Sequence, residues 1–208
     1  SAGKLPMQEK LIAALSPFAT TIYHGINPTI TDLSLAPELY LLHGEEFLTE
    51  KVDGKTFLIH PNSFFQTNTA MAEKLLETVG EFLSRTQTKK LLDLYCGLGF
   101  FGICLADRVE QVVGVEIDAA AIELAKKNAD CNNVKNISFT AAKSEDLTWQ
   151  TENPDTIIID PPRAGLHPKV IKTLLEKKPK NIIYVSCNYE RFADEWKKFA
   201  PVYELSDM

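Results

Sequence analysis

The chain has 208 residues, 45% of them hydrophobic and 24% charged, with a net charge of −6, the size and composition of a folded α/β domain with an appendage. No apolar run approaches the ~18 residues of a membrane span and no signal peptide opens the chain, so a cytoplasmic protein is expected rather than a membrane or secreted one. The acidic balance weighs against a broad nucleic-acid surface and leaves room for a local basic patch only.

Residues 1–60 do not read as a complete domain. Helical periodicity runs from Met7 to Phe18 through Leu11, Ile12 and Leu15, and Thr20–Ile26 reads as a strand. A polar loop through Pro28 and Asp32 follows, then short strands at Tyr40–Leu42 and Phe47–Val52, with Asp53-Gly54 turning a hairpin into Lys55–Ile59. One helix and a few strands leave faces uncovered. The segment is expected to be part of a linking or substrate domain whose remainder lies upstream, and residues 61–208 to form the second unit.

That unit opens on Phe64-Phe-Gln-Thr-Asn68, ahead of an amphipathic helix over Thr69–Ser84. Asn68 suits its N-cap, and Met71, Leu75, Val79, Phe82 and Leu83 fall on one face. Gln66, two residues before the helix, is a candidate contact for the amino-acid end of a ligand. The apolar run Leu91–Tyr95 reads as a buried strand broken by Cys96–Gly99, and Gly97, Gly99 and Gly102 match G-x-G-x-x-G. That spacing lets backbone approach a ligand at a helix N-terminus. A second apolar run, Gln111–Glu116, ends in a carboxylate at the position that meets ribose hydroxyls in nucleoside-binding α/β folds. A nicotinamide dinucleotide and S-adenosylmethionine both suit such a loop.

The alternation continues with a helix at Ala119–Asp130 capped by Asp118, strands at Ile137–Ala141, Thr156–Asp160 and Asn181–Cys187, helices at Pro168–Lys177 and Tyr189–Phe199, and a last strand at Val202–Met208. Strand-helix alternation of this length implies a parallel sheet covered on both faces, with ligands at the carboxyl ends of the strands. Asp160, in Asp160-Pro-Pro-Arg-Ala-Gly165, ends one such strand; its bland alternative is an ion pair with Arg163. Cys187, in Ser186-Cys-Asn188, ends the next, just ahead of a helix N-terminus whose orphan N–H groups favour an anion. Cys96, Cys104, Cys131 and Cys187 lie far apart without a C-x-x-C pair, so free thiols are expected and no metal site.

Taken together, F-x-Q-x-N before a helix, D-L-Y-C-G-x-G, G-V-E, D-P-P-R-x-G and S-C-N resemble the RNA uracil-C5-methyltransferases that use S-adenosyl-L-methionine. The resemblance implies a Rossmann-like methyltransferase fold with a mostly parallel sheet, plus a partial α+β appendage at the N-terminus. It further implies methyl transfer to C5 of a uridine to give 5-methyluridine. The Phe64–Asn68 stretch favours 23S ribosomal RNA, hence a role in rRNA processing, with RNA as partner and the protein a monomer.

Uracil C5 is too weak a nucleophile to take a methyl group unaided. Addition of a thiolate to C6 gives C5 carbanion character, which splits one hard step into two. The resemblance makes Cys187 that nucleophile. It also implies that Gln66 contacts the methionine portion of the cofactor, Tyr95, Gly97 and Gly99 its cradle, Glu116 the ribose, and Asp160 the methionine amino end or the substrate edge. In this family the base that removes the C5 proton is a glutamate beyond the point where this chain stops, so a truncated chain lacking its general base is expected. Two other readings stay open: methylation of a base nitrogen or small molecule with Cys187 inert, and a catalytically silent RNA-binding fragment.

Overall fold

The computed structural model describes residues 5–28 and 36–208; Asp32 lies outside them. Helix α1 (Gln8–Leu15) buries none of its residues. Strands β1 (Thr21–Ile26) and β2 (Glu38–Gly44) pair antiparallel, as do β3 (Leu48–Val52) and β4 (Lys55–Ile59). Asp53 (φ 48°) and Gly54 (φ 73°) join the second pair through two left-handed residues, the turn whose twist matches a tight hairpin.

Asn68 starts α2 (Thr69–Ser84) by accepting the Met71 N–H at 3.2 Å. Of the expected face of α2, Val79 and Leu83 are buried and Leu75 and Phe82 pack half-buried against the core, while Met71 is exposed and Ala72, Leu76 and Gly80 complete the buried stripe. Gly80 leaves room for the Arg108 guanidinium, which donates to the Gly80 carbonyl at 2.9 Å and lies 2.6 Å from where a Cβ would stand.

Beyond α2 the chain alternates β5 (Lys90–Leu94), α3 (Phe100–Leu105), β6 (Gln111–Glu116), α4 (Ala119–Cys131), β7 (Ile137–Ala141), β8 (Thr156–Ile159), α5 (Pro168–Lys177), β9 (Asn181–Tyr184) and α6 (Tyr189–Phe199). The five strands form one parallel sheet in the order β7-β6-β5-β8-β9. Because side chains alternate across a strand, this sheet supplies two cores. Leu91, Val112, Ile158 and Ile183 pack with α2, α3 and α4, whereas Leu92, Val113, Ile157 and Ile159 pack with α5 and α6.

The β3–β4 hairpin joins the first of these cores through Val52 and Phe57, both fully buried. Two asparagines one turn apart, Asn128 on α4 and Asn132 at its C-cap, fasten it. Asn128 Oδ1 accepts the Leu58 N–H at 2.8 Å and its Nδ2 donates to the Leu58 carbonyl at 3.3 Å. Asn132 does the same to Thr56 at 2.8 and 2.7 Å. The pair of amides thus satisfies β4's free backbone edge as a neighbouring strand would.

Val202–Met208 does not form the expected strand. The Val202 and Tyr203 N–H groups both donate to the Phe199 carbonyl at 2.9 Å, turning the chain at the end of α6. The tail then borders a groove of about 760 Å³ shared with α2, α6 and the outer edge of β9, held by an Arg85–Asp207 ion pair and by Tyr203 Oη donating to the Pro179 carbonyl. With the groove between the tail and β9, no backbone ladder forms, and an extended segment without a ladder is not a strand.

Candidate active site at the carboxyl edge of the sheet

Register brings the candidate residues to one level. Val115 pairs with Leu94, Leu94 with Ile159, and Ile159 with Tyr184. The next residues, Glu116, Tyr95, Asp160 and Val185, therefore stand abreast on four adjacent strands, about 14 Å from first to last at ordinary strand spacing. Between β5 and β8 the winding of the sheet changes direction, which opens a crevice at the carboxyl edge. Cys187 follows two residues beyond Val185 and is exposed.

The loop after β5 is shaped by three glycines with different duties. Tyr95 (φ 66°), Gly97 (φ 51°) and Gly99 (φ 82°) all adopt left-handed backbone, a strained choice for Tyr95. A Cβ on Gly97 would meet nothing within 4 Å, so that face of the loop is open, whereas one on Gly99 would press on Ile103 at 2.9 Å and Phe139 at 3.0 Å. Gly102 lets α3 approach β5, with Ile137 and Asp93 within 3.2 Å of where its Cβ would stand. The loop is then tied to the neighbouring strand: Tyr95 and Cys96 N–H donate to the Val115 carbonyl at 2.9 and 3.1 Å, and the Gly97 N–H donates to Glu116 Oε2 at 3.2 Å. Glu116 Oε1 accepts the Ile117 and Asp118 N–H groups at 2.8 and 3.1 Å.

Electrostatically the crevice favours a cation. Asp93 is fully buried, and burial, with Asp160 and Glu116 nearby, outweighs the Gly102 hydrogen bond to push its carboxyl up to about 8. Its Oδ1 has no partner among the described residues. Burial alone lifts Asp160 to about 6, and no ion pair with Arg163 offsets it. At neutral pH Glu116 and Asp160 carry negative charge and Asp93 adds its own only as it ionises near 8, which suits a positively charged ligand such as S-adenosylmethionine, with its sulfonium and ammonium groups. Burial also pushes the Cys96 thiol well above its ordinary range, with Asp93 and Glu116 adding to the effect, so that sulfur is packing.

Around Cys187 the flanking residues form a turn that motif reading alone did not explain. Ser186 Oγ donates to the Asn188 carbonyl at 2.9 Å and accepts the Asn188 N–H at 3.1 Å. Asn188 Oδ1 in turn caps α6 by accepting the Arg191 N–H at 3.1 Å. Serine and asparagine thereby hold the cysteine out at the helix start; the S-x-N cap pattern was the signal. Gln66 sits apart from the glycine loop, lining a cleft of about 700 Å³ between the loop at 60–69 and the N-terminal strands. What links them is aromatic: its neighbour Phe65 packs edge-on against Phe100, the first residue of α3, at 5.9 Å. Among the described residues no group of His, Cys, Asp and Glu is placed to hold a metal ion, and no helix is long and apolar enough to cross a membrane.

The family tRNA (Uracil-5-)-methyltransferase matches residues 40–154 and 149–208. The chain is 45% identical over 196 residues to a tRNA (uracil(54)-C(5))-methyltransferase of Pyrococcus horikoshii, covering 94% of this chain and 46% of that protein. It is 37% identical over 177 residues to an uncharacterized RNA methyltransferase of Clostridium tetani, covering 85% and 39%. It thus spans less than half the length of these relatives. Among solved structures, it superposes with a TM-score of 0.75 on the Pyrococcus abyssi tRNA (uracil-54, C5)-methyltransferase in complex with S-adenosyl-L-homocysteine, at 40% identity, over 88% of this chain and 46% of that one. A complex of aTrm5 with tRNALeu matches in fold alone, with a TM-score of 0.59 at 16% identity, over 97% and 60%.

Proposed function

Since the chain belongs to the tRNA (Uracil-5-)-methyltransferase family, we propose that it is the catalytic part of an RNA methyltransferase that converts a uridine to 5-methyluridine with S-adenosyl-L-methionine. The observation that carries the reading is the shared level of Glu116, Tyr95 and Asp160, with exposed Cys187 two residues beyond it in the loop after β9. The relatives named as tRNA (uracil(54)-C(5))-methyltransferases favour transfer RNA as the substrate, in place of the 23S ribosomal RNA suggested by the Phe64–Asn68 stretch.

Tyr95 and the Gly97–Gly99 backbone form the cradle for the cofactor, Glu116 meets its ribose, and Asp160 faces its positive charges, with Asp93 adding charge beneath the crevice only as it ionises near 8. Gln66 reaches its methionine end from the side of the 700 Å³ cleft. When bound, S-adenosylmethionine supplies an electrophilic methyl group. The chain itself supplies the activation of the base: Cys187 Sγ bonds to uracil C6, and the electrons of the C5–C6 double bond move toward C5 and O4. Once C5 carries the methyl group, loss of its proton to a base restores the double bond and breaks the Sγ–C6 bond. Residues 61–208 carry this chemistry, and the β3–β4 hairpin supports them through the core it shares with α2 and α4.

The test is covalent trapping by the whole protein with RNA containing 5-fluorouridine, where the fluorine blocks the final elimination. The parent should give a denaturation-resistant RNA adduct in the presence of cofactor and Cys187→Ala none, with cofactor affinity in the variant within about twofold of the parent. An adduct that survives in Cys187→Ala removes the proposed nucleophile.

A further inference from the structure

Two turns into α6, Glu195 is 1% exposed, and it is not an isolated buried charge. Its Oε1 accepts the Leu166 N–H at 2.9 Å and its Oε2 accepts the Tyr184 O–H at 2.8 Å. Arg191 Nε lies 3.0 Å from Oε1, close enough for an ion pair though not aligned for a hydrogen bond. These contacts join three pieces of chain. Leu166 ends the loop that begins at Asp160, Tyr184 ends the strand that leads to Cys187, and Glu195 belongs to the helix that Cys187 precedes.

The loop is built around this carboxylate. Gly165 has φ +80°, and a Cβ there would stand 2.2 Å from Glu195 Oε1 and 2.5 Å from Arg191 Nε. Burial and the Glu195 carboxylate together raise the Tyr184 hydroxyl pKa, so Tyr184 remains a proton donor to it. A buried carboxylate with three partners is expensive to assemble and strongly directional once assembled.

We propose that Glu195 is a positioning residue of the reaction described above, locking the Asp160 loop against the helix that Cys187 precedes. The inference rests on that reading of the site. Asp160 keeps its own anchor, its N–H donating to the Leu94 carbonyl at 3.4 Å, so loosening the latch displaces Cys187 more than the cofactor crevice. Misplacement of a reacting group by about 1 Å costs on the order of a hundredfold in rate.

The experiment compares the whole protein with Glu195→Ala, Glu195→Gln and Tyr184→Phe, reading the rate of adduct formation on 5-fluorouridine RNA and cofactor affinity by calorimetry. Glu195→Ala should slow the adduct by about tenfold or more while cofactor affinity stays within about threefold, and Glu195→Gln, which keeps an acceptor for Leu166, should recover most of the rate. Tyr184→Phe, which removes one arm, falls between them and carries the test should Glu195→Ala not fold. Parental adduct rates in Tyr184→Phe and in any folded Glu195→Ala, or equal losses of rate and cofactor affinity, overturn the proposal. A parent that forms no adduct overturns the uracil-C5 reading itself, and the latch with it, before any variant is compared.

Discussion

Asp93 Oδ2 accepts the Gly102 N–H at 2.9 Å across the start of α3, while Oδ1 is buried without a partner among the described residues. One carboxylate thus anchors the helix after the glycine loop and places an unmet acceptor beneath the crevice. An anion so placed is costly, and the group avoids the cost by holding a proton, its pKa raised to about 8. The bond to Gly102 survives protonation, since the second oxygen carries the hydrogen.

A pH dependence of stability follows. Asp93 titrates near 8 when folded, against about 3.9 when unfolded, so the native state binds the extra proton between those values. The contribution of Asp93 to stability is therefore largest at the acid end of that window and is lost as pH rises toward 8. Asp93→Asn keeps an acceptor for Gly102 and cannot ionise. Thermal melts at pH 5.5, 7 and 8.5 should show the variant gaining on the parent as pH rises; a difference that stays constant across the three would mean that Asp93 does not titrate there.

Asp160 gives a second dependence, this time in binding. Its carboxyl titrates near 6, so on acidification it is neutral before an ordinary aspartate would be. If it faces the positive end of S-adenosylmethionine, affinity at pH 5 should be about tenfold weaker than at pH 7, the factor of one pKa unit. Calorimetry of Asp160→Asn should lose the step near 6 and keep one nearer 8, which belongs to Asp93. Equal steps near 6 in parent and variant would assign that titration to another group.

The sheet and its edge were legible because their signals are local: apolar runs, glycine spacing, and acids at strand ends. Asp118 shows the same, its side chain capping α4 by accepting the Ala120 N–H at 2.8 Å as its position suggested. What escaped was decided by distant partners. The burial of Gly80 on α2 involves Arg108, 28 residues away, whose guanidinium donates to the Gly80 carbonyl. Val202–Met208 carries the apolar residues Val202, Tyr203 and Leu205 that a short strand would use, but a strand is defined by its ladder, and the tail faces a groove instead. Asn128, Asn132 and Glu195 looked like ordinary polar positions on helices until the fold showed which backbone groups they satisfy.

Asn128 is the clearest case for mutation. It is fully buried, and Asn128→Ala leaves the Leu58 N–H and carbonyl without their partner and removes a weaker bond to the Leu98 carbonyl at 3.4 Å. Orphaned buried backbone groups should cost about 2–4 kcal/mol. Asn132→Ala, at a less buried site, should cost about half as much, and the two losses should be non-additive because both amides fasten the same strand. Strict additivity in a urea-denaturation cycle would mean that Leu58 and Thr56 are held independently.

Gly165 tests the latch through the backbone rather than the carboxylate. At φ +80° an alanine is strained whatever its surroundings, and here its Cβ would also stand 2.2 Å from Glu195 Oε1. The backbone cannot relax toward ordinary φ without withdrawing the Leu166 N–H that Glu195 accepts, so strain and a broken hydrogen bond are alternatives and neither is cheap. Gly165→Ala should therefore cost about 3 kcal/mol, near the upper end of single substitutions outside an apolar core. In Glu195→Ala the 2.2 Å contact is gone and only the Arg191 side chain, 2.5 Å away, is left to give way, so the same change should cost less, about 2 kcal/mol. Denaturation of both single variants and the double variant, with the denaturant slope unchanged, isolates the coupling. A Gly165→Ala cost that is the same with and without Glu195 would show that the carboxylate does not shape the loop.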